Sequence, residues 1–113
     1  MSDSILQSTK KALGLESDYD AFDLDIIMFI NSALATLNQV GYEPREGFMI
    51  TGPEETWADL DVQTKDMFVK QYIYGEVRVS FDPPQNSSAL EAIRKKNEEL
   101  LWRININREV DND

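Results

Sequence analysis

The chain has 113 residues, 42% of them hydrophobic and 28% charged, which suits one domain with a single core. It has no histidine and no cysteine, which excludes Ser-His-Asp and Cys-His catalysis, disulfides and zinc sites of the usual kind. Its formal charge of −10, from 21 acidic and 11 basic residues, disfavours DNA binding, because gripping a duplex needs a concentrated cationic patch.

From the N-terminus, Ser4 to Leu13 is a short helix candidate, capped by Ser4 and ended by Gly14, with Ile5, Leu6 and Leu13 as a sparse apolar side. The start "MSDSILQSTKKALGL" has neither the basic residues nor the apolar block of a secretory signal. Apolar runs throughout are too short to span a membrane, so synthesis inside a cell is expected. A stronger helix runs through "DLDIIMFINSALATLNQV", capped by Asp20 or a neighbouring acid and closed by Gly41. Phe22, Ile26, Phe29, Ile30, Ala33, Leu37 and Val40 form its stripe, while Leu24, Met28 and Ala35 fall nearly opposite. A second apolar patch of that kind predicts a second neighbour.

"EPREGFMITGPEETWADL" reads as a loop with a short extended piece at Phe48 to Thr51. A third helix is expected from about Leu60 to Ser80. It is apolar on most sides and therefore central, with close packing at Gly75. Asp82, Pro83 and Pro84 then form a rigid corner. Pro83 disfavours helical geometry at Asp82, and Pro84 removes another backbone donor. Ser88 with Glu91 is a capping-box pattern that restarts a helix. Its inner stripe is Leu90, Ile93, Leu100, Leu101 and Ile104 around Asn97, and Trp102 lies well off it. The expected fold is all-α: a small bundle of about four helices over residues 1–104, with residues 105–113 as a tail that is flexible until bound.

Candidate sites mostly reduce to ordinary surface or core. Asp18 and Asp20 imitate the start of a calcium loop, but Phe22 holds the next ligand position and Asp23 replaces the required glycine. Acidic residues at a helix N-terminus are favoured by the dipole anyway. Glu54 and Glu55 read as solvated loop residues, and in "RKKNEE" the expected contacts are the i,i+4 pairs Glu91–Lys95 and Arg94–Glu98. Tyr72 and Tyr74 read as core or near-core, and Trp57 as the cover of a helix entry. Trp102 beside Arg103 has the composition of an interface hot spot, although a loop folded over the indole is an equal reading.

Charge is uneven along the chain. Up to Ala58 ten acidic residues stand against three basic ones, whereas from Asn86 onward the ratio is six to five. The C-terminal third is the part best suited to an acidic partner.

The ordered set Ile30-Asn31-x-Ala33, Trp57, Arg78, Phe81-Asp82-Pro83-Pro84 and Trp102-Arg103 resembles the phage head-tail connector (adaptor) proteins of long-tailed phages, also labelled DNA-packaging proteins. The resemblance covers nearly the whole chain. It implies a non-enzymatic virion protein, without cofactor or metal, made in the host cytoplasm and placed at the head-tail junction. Such a subunit forms a ring under the portal protein, extends the DNA channel and docks the next neck or tail-completion protein. DNA passes through without specific binding, and no membrane is involved. Portal contact is then expected at Trp102, Arg103, Ile106, Arg108 and Val110, and subunit contact at Leu24, Met28 and Ala35. The alternative is a packaging regulator that touches terminase or DNA, which the charge count opposes. A carboxylate or metal-dependent enzyme would need acids converging in a pocket.

Overall fold

The computed structural model describes residues 4–41, 47–60 and 67–111, with side chains described as far as residue 106. Four helices follow in order: α1 (Ile5–Ala12), α2 (Asp23–Gln39), α3 (Met67–Phe81) and α4 (Ser87–Asp111). The described residues form no strand, only an isolated antiparallel bridge between Ser4 and Thr56. The all-α expectation holds. Helix α3 is central, packing on both α2 and α4, with α1 against α2 and α3. The resulting slab measures 43 × 35 × 21 Å.

Helix α1 begins as its sequence predicts, with the Ser4 hydroxyl accepting from the Gln7 amide at 3.2 Å. Gly14, at φ 83°, turns the chain out of the helix. The start of α2 differs from expectation. Its N-cap position is Phe22 with no side-chain cap, and Asp20 contributes its carbonyl to the Asp23 amide instead. Asp23 and Asp25 in the first turn supply the charge that the helix dipole favours. Gly41, at φ 96°, ends the helix as expected. Ile26, Ile30, Ala33 and Leu37 of the predicted stripe are buried, joined by Leu34, whereas Phe22 is 41% exposed. Phe22 packs edge-on against Phe81, with ring centroids 5.2 Å apart, which ties the start of α2 to the end of α3.

Residues 47–60 belong to the core although they form no helix. Phe48, Ile50, Trp57 and Leu60 are buried. Asn31 on α2 pairs with both backbone groups of Ile50, accepting from its amide at 2.9 Å and donating to its carbonyl at 3.0 Å. One side chain thus does what a neighbouring strand would do. Trp57 donates from Nε1 to Ser8 Oγ at 3.2 Å, meets Tyr74 edge-on and lies under the Lys70 ammonium. It links the loop to α1 and α3 and so does more than cover a helix entry. Residues 61–66, the first turns expected of the third helix, lie outside the described residues.

Helix α3 stops at the corner. The Asp82 amide donates to the Arg78 carbonyl at 2.9 Å, and Arg78 Nε donates back to the Asp82 carbonyl at 2.7 Å. Arg78 therefore caps the helix end that Pro83 forces. The restart is two residues earlier than the capping-box pattern predicts. Asn86 is the cap, its Oδ1 accepting from Ser88 and Ala89 amides at 2.8 and 3.1 Å, and Ser88 lies inside α4. Asparagine two residues upstream reaches the free amides first and is at least as good a cap as serine. Beyond Asn105 the backbone continues α4 to Asp111, where the sequence suggests a separate tail.

Gly75 is where α3 and α4 come closest. A β-carbon there would meet the buried Asn97 side chain, with Cγ and Nδ2 at 2.8 Å and Oδ1 nearer still. Gly75→Ala gains about 1 kcal/mol in helix propensity but overpacks this seam, which costs about 1–3 kcal/mol. Net destabilisation is expected, and adding Asn97→Ala should relieve the clash. Urea denaturation of both single variants and the double variant checks it. Strictly additive effects would mean that the seam does not constrain position 75.

Candidate assembly surfaces

The outer face of α2 carries Leu24, Met28, Ser32, Ala35 and Gln39, all exposed, with Asp25 in its first turn as the charged side chain at its edge. Leu24 is 83% exposed and Met28 56%. In a chain with 28% charged residues, a helix face with one charge at its edge is a surface that water solvates poorly. The three residues expected at a subunit contact are brought together here, pointing away from the core as their spacing predicts.

The second surface is the end of α4. Trp102 is 63% exposed, so no loop folds over it. Ile106, four residues on, is half-buried and close to the same side of the helix. Arg103 is already engaged. Its Nε and a terminal nitrogen donate to Glu99 Oε1 at 3.1 and 2.8 Å, and its guanidinium lies 5.7 Å from the Phe68 ring centre. That contact sets residue 103 level with the second described residue of α3. The side chains of Arg108 and Val110 lie outside the described set. The expected pairs Glu91–Lys95 and Arg94–Glu98 are not closed, and Arg103–Glu99 is the i,i+4 ion pair that the described part of α4 forms. Exposed pairs of this type are worth only tenths of a kcal/mol, too little to fix long side chains.

Other polar candidates have structural partners. Glu55 accepts from the Thr51 amide and hydroxyl at 2.9 and 2.8 Å and from the Gly52 amide at 3.3 Å. Desolvation acts to raise its pKa, but these hydrogen bonds outweigh it and hold the carboxyl below its ordinary value. Glu55 thus closes a turn, while the neighbouring Glu54 is exposed. Burial, reinforced by the charge and hydrogen bond of Glu76, pushes the Tyr72 phenol well above its ordinary value, with Thr36 acting the other way. Tyr72 is buried and Tyr74 half-buried, in keeping with core roles. Asp18 and Asp20 are exposed, and among the described residues no three acidic side chains converge as a metal ligand set.

Sequence reasoning passes over one pair. Lys10 is completely buried, donates to the Ser17 carbonyl at 3.1 Å and pairs with Asp23 Oδ1 at 2.9 Å. A lysine in the last turn of an amphipathic helix reads as surface, and its carboxylate partner is thirteen residues away in the chain. The only local signal is the position of Lys10, one and four residues after Thr9 and Leu6 on the side that α1 buries.

Uncharged and aromatic side chains thus stand exposed on rigid helices, while Glu55, Asn86 and Arg78 are absorbed into caps and turns. The chain belongs to the phage connector protein family, whose family model matches residues 5–111. It is a head-tail connector by that membership, a structural component of the virion that associates with other head or tail proteins. No curated protein and no solved structure matches it. No helix among the described residues is long and apolar enough to cross a membrane.

Proposed function

We propose that this connector assembles as a ring beneath the portal protein, extends the DNA channel and presents a docking surface to the next neck or tail-completion protein. The observation that carries the reading is the 63% exposure of Trp102 near the end of α4. Large aromatic side chains held in water on a rigid element are the usual anchors of an interface. Trp102, Arg103, Ile106, Arg108 and Val110 form the portal contact, and Leu24, Met28 and Ala35 form the subunit contact. A chain of net charge −10 lines a channel through which DNA slides, because it repels phosphate instead of binding it.

Deleting residues 105–113 tests the portal contact. The truncated chain should lose the helical signal of its last turns and little thermal stability, yet fail to co-sediment with portal. Trp102→Ala with Arg103→Ala should weaken docking, at a modest stability cost from the lost contacts to Phe68 and Glu99. Normal portal binding by the truncated chain would move the docking surface elsewhere. Tight, steeply salt-dependent binding of free duplex DNA would favour a packaging regulator.

A further inference from the structure

We infer that the corner where the turns before α2 meet the end of α3 docks a cationic segment of the next neck or tail-completion protein, whose arginine or lysine side chains seat on the aromatic rings of Tyr19, Phe22 and Phe81. This rests on the proposed function and supplies the tail-side surface that it leaves open. Tyr19 and Phe22 are 47% and 41% exposed, with ring centres 5.9 Å apart. Phe22 meets Phe81 in turn at 5.2 Å, and Phe81 is half-buried. Three rings thus run in a row across two elements, each with part of its surface in water. Phe22 also holds the N-cap position of α2 and gives the helix no side-chain bond, where a small polar side chain would serve better. The helix gains no cap from that ring and the core does not enclose it. A side chain kept under those conditions suits a contact with a partner.

Charge identifies the occupant. Glu16, Asp18 and Asp20 are exposed in the turns that carry Tyr19, Asp25 is exposed one helical turn after Phe22, and Asp82 is exposed directly after Phe81. No basic residue occurs between Lys11 and Arg45. Of the cations on adjoining elements, Lys10 is buried against Asp23, Lys11 is exposed at the end of α1, and Arg78 has its Nε held by the Asp82 carbonyl. The exposed carboxylates therefore outnumber the cations near them. Aromatic faces attract a guanidinium or ammonium, and neighbouring carboxylates accept its N–H groups. The position suits a second partner. Phe68, which faces Arg103, and Phe81, which meets Phe22, lie near the two ends of α3, roughly 20 Å apart along its axis. The aromatic corner thus sits at the other end of α3 from Arg103, as a connector with a different partner at each end requires.

Three full-length variants test the corner. They are Tyr19→Ala, Asp18→Asn with Asp20→Asn, and a control of equal charge change on α4, Glu91→Gln with Glu98→Gln. All these positions are exposed, so melting should match the wild type. Co-sedimentation with portal and the yield of tailed particles are then measured for each. Both corner variants should bind portal normally but lower the yield of tailed particles at least about tenfold, as the loss of an interface anchor does. The α4 control should leave both unchanged. Normal tail joining by the Asp18→Asn, Asp20→Asn variant, or an equal loss in the control, would overturn the docking corner while leaving the proposed function intact. Corner variants that no longer self-associate would overturn it as well, by making a second copy the occupant. Wild-type protein that neither binds portal nor is needed for tail joining would instead remove the proposed function itself.

Discussion

Asp23→Ala is expected to lower stability by about 3–5 kcal/mol, a drop in Tm of roughly 12 °C or more for a chain of this size. The reason is Lys10, whose side chain is completely buried and which keeps only the Ser17 carbonyl once Asp23 is gone. The converse change is far milder. Asp23 retains 26% exposure, so water can solvate its carboxylate when the ammonium is removed. Lys10→Met keeps the aliphatic volume and should cost less than about 1.5 kcal/mol, as volume-conserving changes do. Combining the two substitutions should recover most of what Asp23→Ala loses. Thermal and urea denaturation of the three variants measures this. Equal costs for both single changes would mean that the ammonium has access to water, contrary to its burial.

Leu24→Lys with Met28→Lys should leave the isolated fold untouched and abolish assembly. Both side chains are mostly in water already, so exchanging them costs the monomer within about 0.5 kcal/mol each. At an interface the same change buries two ammonium groups without partners, a penalty of several kcal/mol. Circular dichroism and melting should therefore match the wild type, while sedimentation and particle incorporation should not. An unfolded double variant would make this face part of the core, and normal assembly would take it out of the subunit contact.

The helices are legible in the chain because their apolar residues recur at helical spacing and Gly14, Gly41 and Pro83 mark where they must end. The outer face of α2 and the isolated position of Trp102 follow from that same geometry. What is not legible depends on partners distant in sequence. Asn31 reads as a polar interruption of an apolar helix, and its use becomes visible only when Ile50, nineteen residues on, is placed beside it. Lys10 reads as solvent-facing until the turns before α2 enclose it. The start of α4 is a different kind of miss. Asn86 and Ser88 are both good caps, and local rules do not choose between candidates two residues apart. The backbone of 105–111 stays helical because α4 has already paid its nucleation cost upstream and each further residue only propagates it.

The pairing of α1 with the segment far downstream has a consequence for synthesis. The Ile5 amide donates to the Glu55 carbonyl at 3.0 Å, Ser4 bridges Thr56, and Ser8 receives the Trp57 indole. During synthesis α1 can meet α2 early, but it lacks the cover of residues 55–57 until they appear, and that of α3 until some twenty residues later. Eight residues cannot hold a helix alone in water. Helices α3 and α4, adjacent in sequence and joined by a tight corner, can close on each other almost as soon as they are made. Full cover of α1 thus waits on segments made long after it, whereas the α3–α4 pair needs only its own two helices.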